Sequence, residues 1–402
     1  MKNKFGWVLA GTAVQALFAQ ATFAQSSVTL YGLVDNGLAY VSNQSSVGST
    51  SGGKSAVKFN TGAWAGSRFG LMGSEDLGGN TKVIFRLESG FNTANGNQQF
   101  ANAEFGREAS LGVTNPAFGT FKMGRMNTAY YTMLSPYSPT NYLTGFTGAH
   151  PGDIDSLDTG YRANNTFLYQ TPTWNGLTAA ASYSMGGVAG SFNSGSTIAA
   201  GVQYLNGPFG IAAGYTKINN STSGGGAWGA NSTTSSGGQA GISALTNGYQ
   251  TAQSQQRIAV TTGYQISGAF DVSASYSNVQ YTPGTGSSFK NKAVFNSAGA
   301  VLHWKPSVVW DFAAGYAYTR ASQSNGIEKA AQYQQVSLSQ YYSLSKRTGL
   351  YMVQGYQRAT GETLGTNGGI IQATANVGDG MNGTPSSGRS QFVAAGGLIH
   401  RF

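Results

Sequence analysis

The chain has no cysteine in 402 residues, 9 prolines, 3 histidines, and a charged fraction of only 9%. Without cysteine, disulfides cannot be the source of its stability. His150, His303 and His400 stand at no zinc-ligand spacing, and no serine has an evident histidine partner in the sequence. Neither a metal centre nor a hydrolase is indicated, and no cofactor is expected. No run rich in Ala, Leu, Glu and Lys falls at helical spacing, and a mean hydropathy of −0.20 leaves no long apolar stretch for a helix bundle.

What is abundant is glycine (59), tyrosine (22) and phenylalanine (21), a balance that favours strands and turns. The stretch TKVIFRLESGF, residues 81–91, shows the pattern at its plainest. Val83, Phe85 and Leu87 share one face; Lys82, Arg86 and Glu88 share the other. Residues 1–24 read as a signal peptide: Lys2 and Lys4, an apolar run too short to anchor permanently, then the small-residue site ATFA with cleavage before Gln25. Its removal takes the formal net charge from +9 to +7, because Lys2 and Lys4 are the only charges it carries. Residues 25–402 then form one domain, exported from the cytoplasm.

That domain alternates in segments of about ten residues, joined by two unequal kinds of connection. Short ones fall at 76–80, 115–119, 171–176, 206–208, 266–269 and 345–348; long ones rich in Gly, Ser, Thr and Asn fall at 42–60, 127–161, 219–250 and 361–387. Short turns at one rim and long loops at the other are the plan of an antiparallel transmembrane β-barrel. About sixteen alternating segments can be counted, an even number as closure of one chain requires. In lipid a spanning sheet must close to satisfy its backbone. Val83, Phe85 and Leu87 would face hydrocarbon, and Arg86 and Glu88 a wet lumen. Trp310, Phe312, Ala314, Tyr316 and Tyr318 repeat the outward face, and Phe392, Leu398, His400 and Phe402 share one at the C-terminus.

Here a family resemblance becomes specific. VTLYGLVDNGLAY, SRFGLMGSEDLGG, FRLESGF, FGREASLGV, FGTFKMGR, YSLSKRTGLY and the terminal GLIHRF, in that order, resemble the general trimeric porins of Gram-negative bacteria in their low-charge proteobacterial form. The resemblance implies a sixteen-stranded barrel in the outer membrane, crossing its lipid many times and assembled as a homotrimer. Each channel would be narrowed by an inward-folded third loop and would pass small hydrophilic solutes by passive diffusion. A strand ending in Phe402 resembles the signal read by the barrel-insertion machinery.

By motif, the family's constriction arginines map onto Arg68 in SRFG, Arg107 in GREA, Arg125 in MGR and Arg162 in GYRANN. Arg86 and Glu88 are expected at the same lumen, with Glu88 holding neighbouring arginines in place. Inward parity at Arg107 would turn Glu108, Ser110, Gly112 and Thr114 outward, a face polar enough to need a subunit contact. The third loop departs from the common acidic pattern. From 126 to 152 it has no Asp or Glu, SPYSPT stands near the usual acidic turn, and Asp153, Asp155 and Asp158 come late, at the loop's return. The expectation is an anion-preferring lumen. The alternative from another class is a barrel that works through its loops as an adhesin or receptor. Nucleic acid is not an expected partner, because the arginines are dispersed at strand spacing and the protein is exported.

Overall fold

The computed structural model describes residues 27–158, 161–228, 242–379 and 383–402, so the expected signal peptide lies outside the described residues. Seventeen hydrogen-bonded segments form one closed sheet. Two of them, Lys54–Thr61 and Arg68–Gly78, are halves of a single strand, since both pair antiparallel with the same neighbour along successive parts of its length. The barrel therefore has sixteen strands: β1 (Ser27–Gln44), the interrupted β2, β3 (Thr81–Gly90), β4 (Glu108–Asn115), β5 (Gly119–Asn127), β6 (Arg162–Gln170), β7 (Leu177–Ser184), β8 (Thr197–Asn206), β9 (Phe209–Asn219), β10 (Ser254–Gln265), β11 (Phe270–Thr282), β12 (Ala293–Trp304), β13 (Trp310–Ala321), β14 (Gln332–Ser343), β15 (Thr348–Thr360) and β16 (Ser390–Arg401). The sequence reading placed residues 54–60 in a loop; they open β2, whose real interruption is 62–67.

Closure is made by β1 against β16, from Leu33 opposite Arg401 to Val41 opposite Val393. Gly32 and Phe402 complete it by exchanging backbone hydrogen bonds of 3.2 and 3.0 Å. The last edge is thereby removed, which is what a spanning sheet requires. Both ends of the sheet lie at the short-turn rim, since Ser27 stands opposite Ser74 next to the turn into β3.

Alternation separates the two faces. On β13, Trp310 and Tyr316 are exposed on the lipid side while Ala313, Ala317 and Thr319 are buried toward the lumen. On β4 the sides are the reverse of the sequence expectation. Glu108 stands directly opposite Glu88, and cross-strand partners share a face, so Glu108, Ser110, Gly112 and Thr114 point into the lumen. Leu111 and Val113 take the lipid side. Arg107 precedes the strand, its backbone N–H donating to the Glu88 carbonyl at 3.1 Å, so the strand's alternation does not bind its side chain. The polar face is thus no subunit contact.

The third loop folds into the barrel. It begins with helix α1 (Ala129–Leu134) and continues through single turns opened by Pro136, Pro139 and Pro151, where a fixed φ and a missing donor cost nothing. Tyr130, Met133, Leu134 and Leu157 pack on inward alanines of β7 to β10. The wall is cut away to receive the loop. A Cβ at Gly299 would stand 2.6 Å from His150 Nε2, and one at Gly263 2.6 Å from the Tyr137 ring. Two long-rim loops also turn inward. Leu245 and Tyr249 from one, and Leu364 and Ala373 from the other, join Tyr281, Phe295 and Tyr333 in an apolar core inside the barrel beside β11 to β15. A second apolar cluster packs Phe146 of the third loop against Ala39, Val41, Val353 and Val393, and the cavity left in the lumen lies beside the interrupted β2.

Candidate functional site

The interruption in β2 faces the third loop across the lumen. Asp35 on β1, fully buried, shapes this stretch: its Oδ2 accepts the backbone N–H groups of Trp64 and Ala65 at 2.8 Å each, and its Oδ1 accepts the Tyr351 hydroxyl at 2.5 Å. Trp64 lies against Tyr341 and Tyr351, with ring centroids 4.7 and 5.6 Å apart. Held in this way, residues 62–67 step into the lumen, and the wall resumes at Arg68. A cavity of about 340 Å³ opens between them and the loop. Trp64, Arg68 and Arg107 line its wall side; Tyr131, Ser138, Asn141 and Asp158 line its loop side.

Glu88 organises the basic side chains beneath. Its Oε1 accepts from Arg107 Nε at 2.7 Å and lies 4.0 Å from Arg68 Nη1; its Oε2 accepts from Arg86 Nη2 and from the Tyr31 hydroxyl, both at 2.8 Å. One buried carboxylate thus fixes three guanidiniums, which without it would repel one another and splay. Arg107 also donates to Gln99 Oε1 at 2.9 Å. Toward the short-turn rim the ladder continues through Arg86 to Glu108 at 3.7 Å and Glu108 to Lys122 at 2.5 Å.

Arg125 and Arg162 sit elsewhere. Both lie over the ring of buried Phe100, at 5.4 and 5.6 Å, and Arg125 donates to the Gly106 carbonyl at 2.7 Å and to Asn164 Oδ1 at 2.5 Å. Of the six expected constriction residues, then, Arg68 and Arg107 line the cavity, Glu88 and Arg86 lie below it, and Arg125 and Arg162 flank the second loop. Phe402 is half exposed on the outer face at the seam with Gly32.

The loop supplies what the sequence reading missed. Asp158 is buried at the cavity, so the wall does not face a loop free of carboxylates. Beside it Tyr131 is pushed up to about 12 by burial and by Asp158, and stays a neutral hydroxyl. Behind it the loop is pinned to the wall. His150 Nδ1 lies 2.6 Å from Asp155 Oδ2 and its Nε2 3.1 Å from Ser275 Oγ; Ser277 Oγ donates to Asp155 Oδ2 at 2.6 Å. Serine, histidine and acid in this order have the form of a nucleophile triad, but all are buried under the loop and act here as an anchor. Burial raises the Asp155 pKa, and His150 and Ser277 more than offset it, holding the carboxyl below its usual range. Asp153 goes the other way, raised well above that range by burial and by Asp158 and Asp155. At the loop's tip Tyr142 stacks on His303, centroids 4.0 Å apart, and His303 bridges Asp271 and Asp311 at 2.9 and 2.8 Å. The signal for such anchors was available: Ser275, Ser277 and Gly299 are small residues at lumenal positions of alternating strands.

Comparison with known proteins agrees with this geometry. The family model described as Gram-negative porin matches residues 11–362. An outer membrane porin protein of Bordetella pertussis is 33% identical over 237 residues, 54% of this chain and 60% of that one. Outer membrane porin protein 32 of Delftia acidovorans is 33% identical over 214 residues, 51% and 58% of the two chains. The chain spans about 60% of the length of these relatives. Among solved structures, the anion-selective porin from Comamonas acidovorans superposes with a TM-score of 0.67 at 25% identity, covering 94% of this chain and all of that one. OmpT of Vibrio cholerae, at 14% identity and a TM-score of 0.61, shares the fold. A closed sixteen-stranded barrel, an inward third loop and a family match over most of its length agree: this chain belongs to the Gram-negative porins, proteins of the outer membrane.

Proposed function

We propose that the chain forms a water-filled channel for the passive diffusion of small hydrophilic solutes and ions, that it prefers anions, and that Arg68 and Arg107 set this preference at the narrowest section. The observation that carries the reading is the cavity they line. Asp158 is the one carboxylate among the described residues around it, and hydroxyl and amide groups make up much of the opposite side. At and beneath the cavity Arg68, Arg86, Arg107 and Lys122 stand with Glu88, Glu108 and Asp158, while Arg125 and Arg162 add positive charge behind it at the second loop. An arginine about 5 Å from a permeating anion contributes roughly 1 to 3 kcal/mol, for an effective dielectric of about 80 down to 20. Low-dielectric walls focus this field, so anions are concentrated and cations depleted without energy input. The solved anion-selective relative, alike over its full length, supports the reading.

The proposal includes a mature protein beginning at Gln25 and a homotrimer, the latter resting on the family alone. Phe402 serves as the assembly signal. The packed lumen beside β11 to β15 favours a second reading, a barrel acting through its loops. Planar-bilayer recording separates the two. The channel reading expects stable single-channel steps and an anion-side reversal potential across a KCl gradient. Selectivity should weaken as salt rises, since the Debye length falls from about 10 Å at 0.1 M to about 3 Å at 1 M. Absence of conductance would leave the loop reading; cation preference would remove the arginine mechanism.

A further inference from the structure

The lipid face of β11 to β15 changes character toward the long-loop rim. Its middle is apolar, with Leu302, Tyr316, Val336, Leu338 and Tyr356 exposed. Two to six residues further along, the outward positions become Asn278, Asn296, Arg320, Gln332, Gln334 and Arg358. Register confirms that they are neighbours: Asn278 stands opposite Asn296, Asn296 opposite Arg320, Arg320 opposite Gln332, and Gln334 opposite Arg358. The amides are largely occupied with one another and with tyrosines. Asn296 Oδ1 accepts from Tyr276 and Asn278 at 2.8 Å each, Gln280 donates to Asn278 at 2.8 Å, and Tyr318 donates to Gln332 at 3.0 Å. Arg320 and Arg358 are not: both are exposed, and neither side chain has a hydrogen bond or ion pair among the described residues. No Asp or Glu points outward on these five strands.

Two guanidiniums on the lipid side of a membrane wall, just beyond its tyrosines and without counter-charge, are placed where lipid headgroups lie. They are two strands and two residues apart, about 12 Å between Cα atoms from strand spacing and rise. Planar donors at that separation suit phosphate oxygens, which they can meet bidentately. The long-loop rim faces the outer leaflet in this architecture. We propose that Arg320 and Arg358 form a binding site for the phosphate groups of outer-leaflet lipids, with the amide belt between them as its polar floor. The occupant is a lipid rather than free phosphate, because the apolar face immediately below supplies a bed for its chains. The inference rests on the barrel's place in the membrane and not on the channel reading.

The test uses the intact detergent-solubilised protein titrated with phosphatidic acid, followed by native mass spectrometry, with phosphatidylcholine and inorganic phosphate as separate arms. Wild type should retain phosphatidic acid in preference to phosphatidylcholine, and millimolar inorganic phosphate should not displace it. Arg320→Gln/Arg358→Gln should lose about tenfold in retention. Arg320→Lys/Arg358→Lys should keep most of it, and both variants should leave conductance and reversal potential unchanged. Equal retention by wild type and the Gln pair would overturn the site, as would displacement by inorganic phosphate. So would a changed oligomeric mass with unchanged lipid retention, which would make the belt a contact with a second copy. Should the Gln pair fail to fold, the Lys pair against a single Arg358→Gln gives the same comparison: equal retention refutes, lower retention in the latter supports.

Discussion

The two sides of the lumen are built from one strand pattern and do opposite things. Beside β2 to β5 the inward residues are charged: Arg68, Arg86, Glu88, Glu108, Lys122. Beside β11 to β15 they are small or hydroxylic, such as Ser275, Ser277, Ser297, Ala313, Thr319 and Ser337, and the loops pack against them. Small side chains make a seat for the loops, whereas the charged ones border a cavity across which Tyr131 and Asp158 of the third loop meet Arg68 and Arg107. On the proposed channel reading, the difference means that the open space is placed by where the wall accepts the loops, not only by where its charges stand.

The largest effect should come from Glu88, where the charged side depends on one buried group. Glu88→Gln leaves Arg107 without its carboxylate and should destabilise by roughly 3 to 5 kcal/mol, as losing one partner of a buried pair does. The shift in thermal unfolding of the folded barrel measures it, and a change under 1 kcal/mol would mean that water screens the pair. On the packed side, Gly299→Leu drives a side chain into the His150 seat. Overpacking of this kind costs about 1 to 3 kcal/mol and should appear in single-channel records as frequent transient closures. Unaltered records would show that the seat is not needed. At the boundary of the two sides, Asp158→Asn removes the carboxylate facing Arg68 and Arg107 and should strengthen anion preference in the KCl reversal potential; an unchanged value would place Asp158 outside the permeation path.

The smallest effect is in pH. Asp155, held below its ordinary 3.8, contributes stability that is present above that value and is lost as pH falls through its lowered one. Asp153 has the opposite sign, its raised carboxyl favouring the fold most at low pH. Unfolding temperatures between pH 5 and pH 2 should therefore fall less in Asp155→Asn than in wild type. An equal fall in both would show that the anchor does not depend on this charge.

Much of this was legible. Alternation in 81–91 and 310–318 gave strand faces directly, and the SRFG and GREA motifs brought Arg68 and Arg107 to one cavity. Legibility failed where a residue left its strand. Arg107 precedes β4, so parity carried from it to Glu108–Thr114 turned that face the wrong way. Residues 62–67 bulge because buried Asp35 captures two backbone N–H groups there, a contact 29 and 30 residues away that no local pattern announces. Asp158 was visible as an acid but not as a cavity residue, because its position depends on how His150 and Asp155 seat the loop.

The most direct test compares the two sides in one experiment: reversal potentials across a KCl gradient for Arg68→Ser/Arg107→Ser and for Asp271→Asn/Asp311→Asn, the partly exposed acids of the opposite wall. Each pair changes two lumenal charges. The account predicts that the arginine pair abolishes most of the anion preference while the aspartate pair changes it little, because the packed side does not face the narrow section. Equal shifts from both, or none from the arginines, would contradict it.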